Sequence, residues 1–208
     1  MPAQNILALY ERHAVAFDRE RSRALFERAW LDRFLAQVPA GGIILDLGCG
    51  MGEPIARYFI ERGFRVWGVD GAPSQIANCR ARFPEQTWTV ADMRTVDLGR
   101  RFDGVLAWDS FFHLTMDDQR AMFARFARHA ASGAPLMFTS GPSEGEAIGT
   151  YHGEQLYHAS LDAQEYQSLL AAHAFSVVAH VVEDPACGGR TVWLASHRIQ
   201  SPSSTQAP

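Results

Sequence analysis

The sequence is poor in cysteine. Three residues, Cys49, Cys79 and Cys187, lie far apart, are odd in number and show no C-x-x-C spacing, which argues against a disulfide framework and for a reducing, cytoplasmic setting. Long apolar runs are missing too. No stretch is long enough to span a bilayer, and no N-terminal segment has the basic-then-apolar form of a signal peptide. Positive charge is not in excess: 19 Lys and Arg against 23 Asp and Glu leave a formal charge of −4. Nucleic-acid binders carry a basic patch or stripe, so neither a polynucleotide nor a membrane is the expected partner. There is no internal repeat.

With 208 residues, 47% of them hydrophobic, the chain can bury one substantial core, and a single domain over residues 1–200 is expected. Phe26, Trp30, Leu31, Phe34, Leu35 and Val38 recur at helical spacing and predict an amphipathic helix that stops at the breaker cluster Pro39-Ala40-Gly41-Gly42. Strand patterns fall at 43–47, 65–69, 86–90, 103–108, 134–139, 175–182 and 190–196, and helical ones near 54–62, 73–83, 117–132 and 162–173. This alternation predicts right-handed βαβ crossovers and an α/β fold: a doubly wound sheet of about seven strands, mostly parallel. Only residues 184–189 separate the last two strands, too few for a helix, so they predict an antiparallel C-terminal hairpin. Residues 201–208, rich in Ser, Pro and Gln, read as a disordered tail.

The most informative segment is Ile43-Ile44-Leu45-Asp46-Leu47-Gly48-Cys49-Gly50, an apolar strand running into a glycine turn, with Asp70 closing the next strand. Glycines let the backbone turn tightly and approach a ligand, and the pattern points to a nucleotide-type cofactor. A dinucleotide fingerprint needs a third glycine, but that position holds Glu53. An acid at the start of a helix repels a pyrophosphate, and Asp46 faces the same turn. Charge complementarity therefore favours a cofactor with an amino group and a sulfonium, S-adenosyl-L-methionine, over NAD. Pro54 suits the first position of the following helix.

Four segments together resemble the class I S-adenosylmethionine-dependent methyltransferases. Residues 45–52 look like that family's first motif, residues 66–72 its second, Ala91-Asp92-Met93 its third and residues 102–109 its fourth. The resemblance, which covers about residues 40–140, implies a Rossmann-like sheet divided into an N-terminal helical lid (1–40), a cofactor-binding core (41–140) and an acceptor loop (141–161). It implies that Asp46, Gly48, Cys49 and Gly50 border the methionyl part, that Asp70, followed by Gly71, takes the ribose hydroxyls, and that Asp92 and Met93 read the adenine. Trp108, at a strand end, is placed against the cofactor, whereas Trp67, Trp88 and Trp193 read as core. The segment from Ala8 to Asp18 resembles an entry helix that folds over the cofactor. Tyr10 and Phe17 would then wall the sulfonium by cation–π contact, the alternative being an apolar stripe packed on the core.

Methyl transfer from a sulfonium needs positioning and desolvation, with a general base only for a nucleophile that holds its proton. Asp109 and His113, four residues apart, are the candidates for that base if the chain turns helical there; alternatively His113 orients a loop or caps a helix. The lack of an Asp/Asn-Pro-Pro-aromatic motif at this place argues against nucleobase methylation. The stretch 141–161, glycine-rich with several Tyr and His, reads as a long functional loop. Tyr151, His152, Tyr157 and His158 are its acceptor-pocket candidates, Tyr157 and His158 also joining Asp109 and His113 as catalytic candidates, and Arg21 and Arg190 are candidates to meet a carboxylate, the alternative for both being surface ion pairs of little energetic weight. His152, Glu154 and His158 match no strong ligand template, so no metal is expected.

The expected function is methyl transfer from S-adenosylmethionine to O or N of a small-molecule acceptor, by a monomer or homodimer. A carboxylate acceptor, as in the trans-aconitate methyltransferases this type of domain resembles, would need no base and would want Arg, His and Tyr donors. Three alternatives stand beside it: attack on another sulfonium carbon with release of methylthioadenosine, a noncatalytic S-adenosylmethionine-binding module, and an NAD-dependent oxidoreductase.

Overall fold

The computed structural model describes residues 5–198; the expected tail at 201–208 lies outside them. Strands β1 (Ile43–Leu47), β2 (Arg65–Asp70), β3 (Thr87–Val90), β4 (Gly104–Ala107), β5 (Pro135–Ser140), β8 (Phe175–Asp184) and β9 (Arg190–His197) form one sheet in the order β3-β2-β1-β4-β5-β9-β8. The first five are parallel, and β9 runs antiparallel to both β5 and β8. This is the doubly wound sheet with a reversed C-terminal hairpin that the sequence predicts.

Helices cover both faces, which is why β4 and β5 are buried along their whole length and read as continuous apolar runs. On one face α3 (Arg28–Leu35), α4 (Ile55–Glu61) and α5 (Pro73–Arg82) bring Phe34, Phe59 and Ile76 onto the sheet. On the other, α6 (Met116–His129) and α7 (Ala163–Ala172) bring Phe123, Phe126 and Tyr166 against Phe138 and Trp193. Thr115 caps α6 through its side chain, and Asp117 and Asp118 in the first turn complement the helix dipole. Pro54 precedes α4 at the cap position instead of opening the helix.

Two expectations need correction. The single entry helix divides at His13 into α1 (Ile6–Arg12) and α2 (Ala14–Glu20). The stretch 141–161 is not a loop: β6 (Gly145–Tyr151) and β7 (Glu154–Ser160) pair as a separate antiparallel hairpin. Its turn is His152-Gly153, with φ of +48° and +81°, left-handed values that match strand twist in two-residue hairpins. Strand β6 is largely exposed, so no apolar alternation announced it.

Candidate active site

Strand order reverses between β1 and β4, and ligands bind at such a switch point beyond the carboxyl ends of the strands. A cavity of about 420 Å³ lies there. Its floor is Gly48, Gly50, Asp70 and Gly71 from the ends of β1 and β2, with Asp92 and Met93 after β3 and Asp109, Ser110 and His113 after β4. Its roof is Tyr10 and Phe17 from α1 and α2, with Leu156 and His158 from β7, and Arg190 enters from β9. Gly48 is required by its turn: φ is +79° and an added Cβ would lie 2.3 Å from the Cβ of Ser110. Ser110 in turn donates its hydroxyl to the carbonyl of Leu47 at 2.7 Å, tying the β4 end to the β1 end.

Two carboxylates occupy the adjacent ends of β1 and β2 without a cation. Asp70 accepts backbone N–H bonds from Gly50 and Ala72, each 2.9 Å, while burial raises its pKa. Asp46 is buried beneath the turn with no described donor, and it does not line the cavity. Desolvation, with the nearby charge of Asp70, pushes it up to about 7. Asp92 differs. Both its oxygens accept from Arg94, the shortest bond being 2.6 Å to Nη2. Burial works against its ionised form, yet those bonds outweigh it and hold the carboxyl below its usual range.

The two catalytic candidates do not pair with each other. The chain does not turn helical at Asp109, whose φ is +46°; only Phe111–His113 form a short 3-10 turn. Asp109 faces Arg190 in a fork of bonds of 2.9–3.1 Å, and its N–H donates to Thr139 Oγ1 at 2.9 Å. His113 is buried and bonded on both nitrogens. Nδ1 lies 2.8 Å from the carbonyl of Tyr157, and Nε2 lies 2.9 Å from the hydroxyl of Tyr10. A carbonyl only accepts, so the proton is on Nδ1, Nε2 is bare, and Tyr10 donates to it. Burial lowers the His113 pKa to about 4, so the ring is neutral near pH 7.

Of the remaining candidates, His158 lines the cavity, its ring 4.8 Å from His113 and 5.2 Å from Phe112. The phenol of Tyr157 points elsewhere, donating to Glu146 at 2.6 Å; its backbone carbonyl is what reaches the site. Tyr151 and His152 do not line the cavity. Both bond Glu20 on the outer side of α2, at 3.2 and 3.1 Å, because the hairpin turn carries them past the roof. Glu154 is held by Arg12 and His13, so His152, Glu154 and His158 do not converge. Trp108 is buried in the α3–α5 core, and the Cys49 thiol is directed at the carbonyl of Gly50, 3.6 Å away, beside Cys79. Neither lines the cavity. Sequence reasoning missed Gln75, Ser110, Phe112 and Thr115 as lining residues. Only Ser110 carried a signal, as the neighbour of Asp109 at a strand end.

The family model for a methyltransferase domain matches residues 44–133, the segment from β1 to the end of α6. The O-methyltransferase resE of Aspergillus sclerotiorum is 28% identical over 153 residues, 67% of this chain and 56% of that protein. A trans-aconitate 2-methyltransferase of Escherichia coli is 34% identical over 94 residues, 44% of this chain and 35% of that protein. The chain thus spans at most about half the length of these curated relatives. Among solved structures, Burkholderia thailandensis 1,6-didemethyltoxoflavin-N1-methyltransferase, with S-adenosylhomocysteine bound, superposes with a TM-score of 0.71 at 22% identity, covering 95% of this chain and 91% of that one. An amino pentose methyltransferase from Micromonospora echinaspora, with S-adenosylmethionine bound, gives 0.68 at 22% identity, covering 89% and 96%. Residues 44–133 are thus similar to a methyltransferase domain, and the sheet that carries them has the fold of these solved structures.

Proposed function

We propose that the protein transfers the methyl group of S-adenosyl-L-methionine to O or N of a small-molecule acceptor. The observation that carries this is the pair of carboxylates at neighbouring strand ends, Asp46 buried and Asp70 half-buried, with no described cation beside them. Such a pair suits amino and hydroxyl groups near a sulfonium and rejects a diphosphate. The residues that line the cavity fit the cofactor: Gly48 and Gly50 for close backbone approach, Asp70 and Gly71 for the ribose, Met93 for the adenine edge, with the carboxylate of Asp46 beneath the turn. Asp92 supports that edge indirectly, through the Arg94 fork. Bound there, S-adenosylmethionine supplies an electrophilic methyl on a sulfonium sulfur.

The chain's own residues then position and desolvate. Tyr10 and Phe17, edge to face with ring centres 5.3 Å apart, offer π faces to a cation. Tyr10 commits its proton to His113 Nε2, which leaves the lone pairs of its oxygen free to receive one. An acceptor hydroxyl or ammonium can pass its proton to Tyr10 as Tyr10 passes its own to His113. Arg190, Asp109, Phe112 and His158 form the acceptor end. A cavity of about 420 Å³ is in the range of small-ligand pockets and supports a small acceptor. The curated O-methyltransferases and the N-methyltransferase structure support oxygen and nitrogen acceptors alike. The free thiols of Cys49, Cys79 and Cys187 support a reducing, cytoplasmic setting, and among the described residues no helix is long and apolar enough to cross a membrane.

The test is titration calorimetry with S-adenosylmethionine and NAD, followed by incubation with methyl-labelled cofactor and pooled metabolites. Heat with S-adenosylmethionine only, label in a small product and release of S-adenosylhomocysteine are expected. Release of methylthioadenosine would move the protein to sulfonium-carbon chemistry, and binding without any turnover would leave a cofactor-binding module.

A further inference from the structure

A second cavity, of about 620 Å³, lies between the start of α3 and helix α4 and shares no lining residue with the first. Its wall carries four guanidiniums, those of Arg23, Arg28, Arg57 and Arg62, against the two carboxylates of Glu53 and Glu61. That is local positive charge on a chain whose formal charge is −4.

The carboxylates of this wall are engaged, and two of its cations are not. Glu53 accepts from Arg57 at 2.6 and 2.9 Å, and Glu61 lies 3.8 Å from the same guanidinium. Arg23 donates to the carboxylate of Asp18 at 2.7 Å. Arg28 has no carboxylate within ion-pair distance among the described residues, and Arg62 comes only to 3.8 Å from Asp32, beyond hydrogen-bond range. Asp32 takes the hydroxyl of Tyr58 instead. Both guanidiniums stand against that same ring, 5.8 and 4.7 Å from its centre, and so are held at the cavity wall.

Two cations gathered on one ring repel each other, and an anion between them removes that repulsion while bonding their N–H forks. A carboxylate is exhausted by a single fork, because its two oxygens pair with two parallel N–H groups. A diphosphate carries more charge and has oxygens on every side, so it can meet both forks at once. The cavity also has room for the small molecule to which such a group is attached.

We propose that this cavity is a second ligand site, for a phosphorylated small molecule whose phosphate oxygens bridge Arg28 and Arg62, with Arg23 and Arg57 completing the positive wall. Its test is calorimetry at low salt with inorganic pyrophosphate, and with malonate as a dicarboxylate, on wild type, Arg28→Gln, Arg62→Gln, Arg28→Lys and, as a control elsewhere on the surface, Arg198→Gln. Wild type is expected to bind pyrophosphate about tenfold more tightly than malonate. Each glutamine variant in the cavity is expected to weaken pyrophosphate about tenfold, the worth of one charge-assisted contact. Arg28→Lys keeps the charge, loses the fork and is expected to weaken it about threefold. Arg198→Gln should bind as wild type does, and excess S-adenosylhomocysteine should leave the affinity unchanged, because the two cavities share no wall. Absence of pyrophosphate binding, malonate binding as tightly, an equal loss in Arg198→Gln, full affinity in Arg28→Lys or in both glutamine variants, or displacement by S-adenosylhomocysteine would overturn the proposal. Binding to phosphatidylglycerol vesicles without binding to free pyrophosphate would overturn it too, since the surface would then be a membrane contact.

Discussion

At His113 two hydrogen bonds and burial decide a protonation state, and the consequence is a pH dependence of known sign. Its folded pKa of about 4 lies below the ordinary 6.5, so the unfolded chain binds the proton more readily between these values. Stability from this group is complete above 6.5 and lost as pH falls to 4, by about 3 kcal/mol. Asp46 acts the other way. Its folded pKa of about 7 exceeds the usual 3.8, so its cost grows as pH rises from 4 to 7. The two oppose each other over one window, and only differences between each variant and wild type separate them. Urea midpoints of His113→Gln are expected to gain on wild type as pH falls from 6.5 to 4; those of Asp46→Asn are expected to gain as pH rises to 7 and then level off. Tyr10→Phe removes the proton acceptor but keeps the ring. It is expected to lower kcat roughly 100-fold on a hydroxyl or amine acceptor, with the Kd for S-adenosylhomocysteine changed less than about threefold by calorimetry. Asp109→Ala strands the partly buried guanidinium of Arg190 and is expected to cost roughly 1–3 kcal/mol in chemical denaturation.

The elements that roof the site, α1, α2 and the β6–β7 hairpin, meet through polar contacts at their outer rim: Arg12 and His13 with Glu154, Tyr151 and His152 with Glu20. Exposed ion pairs contribute little to global stability. Glu154→Ala is therefore expected to change the unfolding free energy by less than about 1 kcal/mol yet to speed amide hydrogen exchange in α1, the local opening that admits ligands. These same elements were the least legible. Residues 145–160 lack the apolar alternation that betrays a strand, because β6 has no sheet beneath it. Residues 43–70, by contrast, announce β1, its turn and β2, since buried parallel strands must be apolar and the turn at Gly48 has no room for a side chain.

Across the whole molecule, legibility followed sequence distance. Gly48, Gly50 and Asp70, which line the cavity, lie within one βαβ unit whose strands and turn a local pattern announces. Other contacts at the cavity join Tyr10 to His113 across 103 residues and Asp109 to Arg190 across 81, separations no local pattern encodes. All 19 Lys or Arg positions are arginine, and lysine is absent. The planar fork of arginine suits the two-point carboxylate contacts seen at Asp92, Asp109 and Glu165. Because ligand binds only the folded chain, S-adenosylmethionine at 100 times its Kd is expected to add about 2.7 kcal/mol and raise Tm by roughly 5–10 °C, whereas NAD should not move the melt.

Strand β9 follows every other described strand in the chain, yet it takes a place inside the sheet, between β5 and β8. On a ribosome the five parallel strands emerge first, and with them the glycine turn, Asp46 and Asp70. Until β9 is released, β5 is a bare edge with unpaired backbone groups, and Asp109 waits without its counter-ion. A chain stalled before residue 190 would hold the glycine turn with Asp46 and Asp70, lack Arg190, and expose an edge open to pairing with other chains. Release of β9 is thus the last step among the described strands, one strand closing the sheet and delivering Arg190 to Asp109 in the same event.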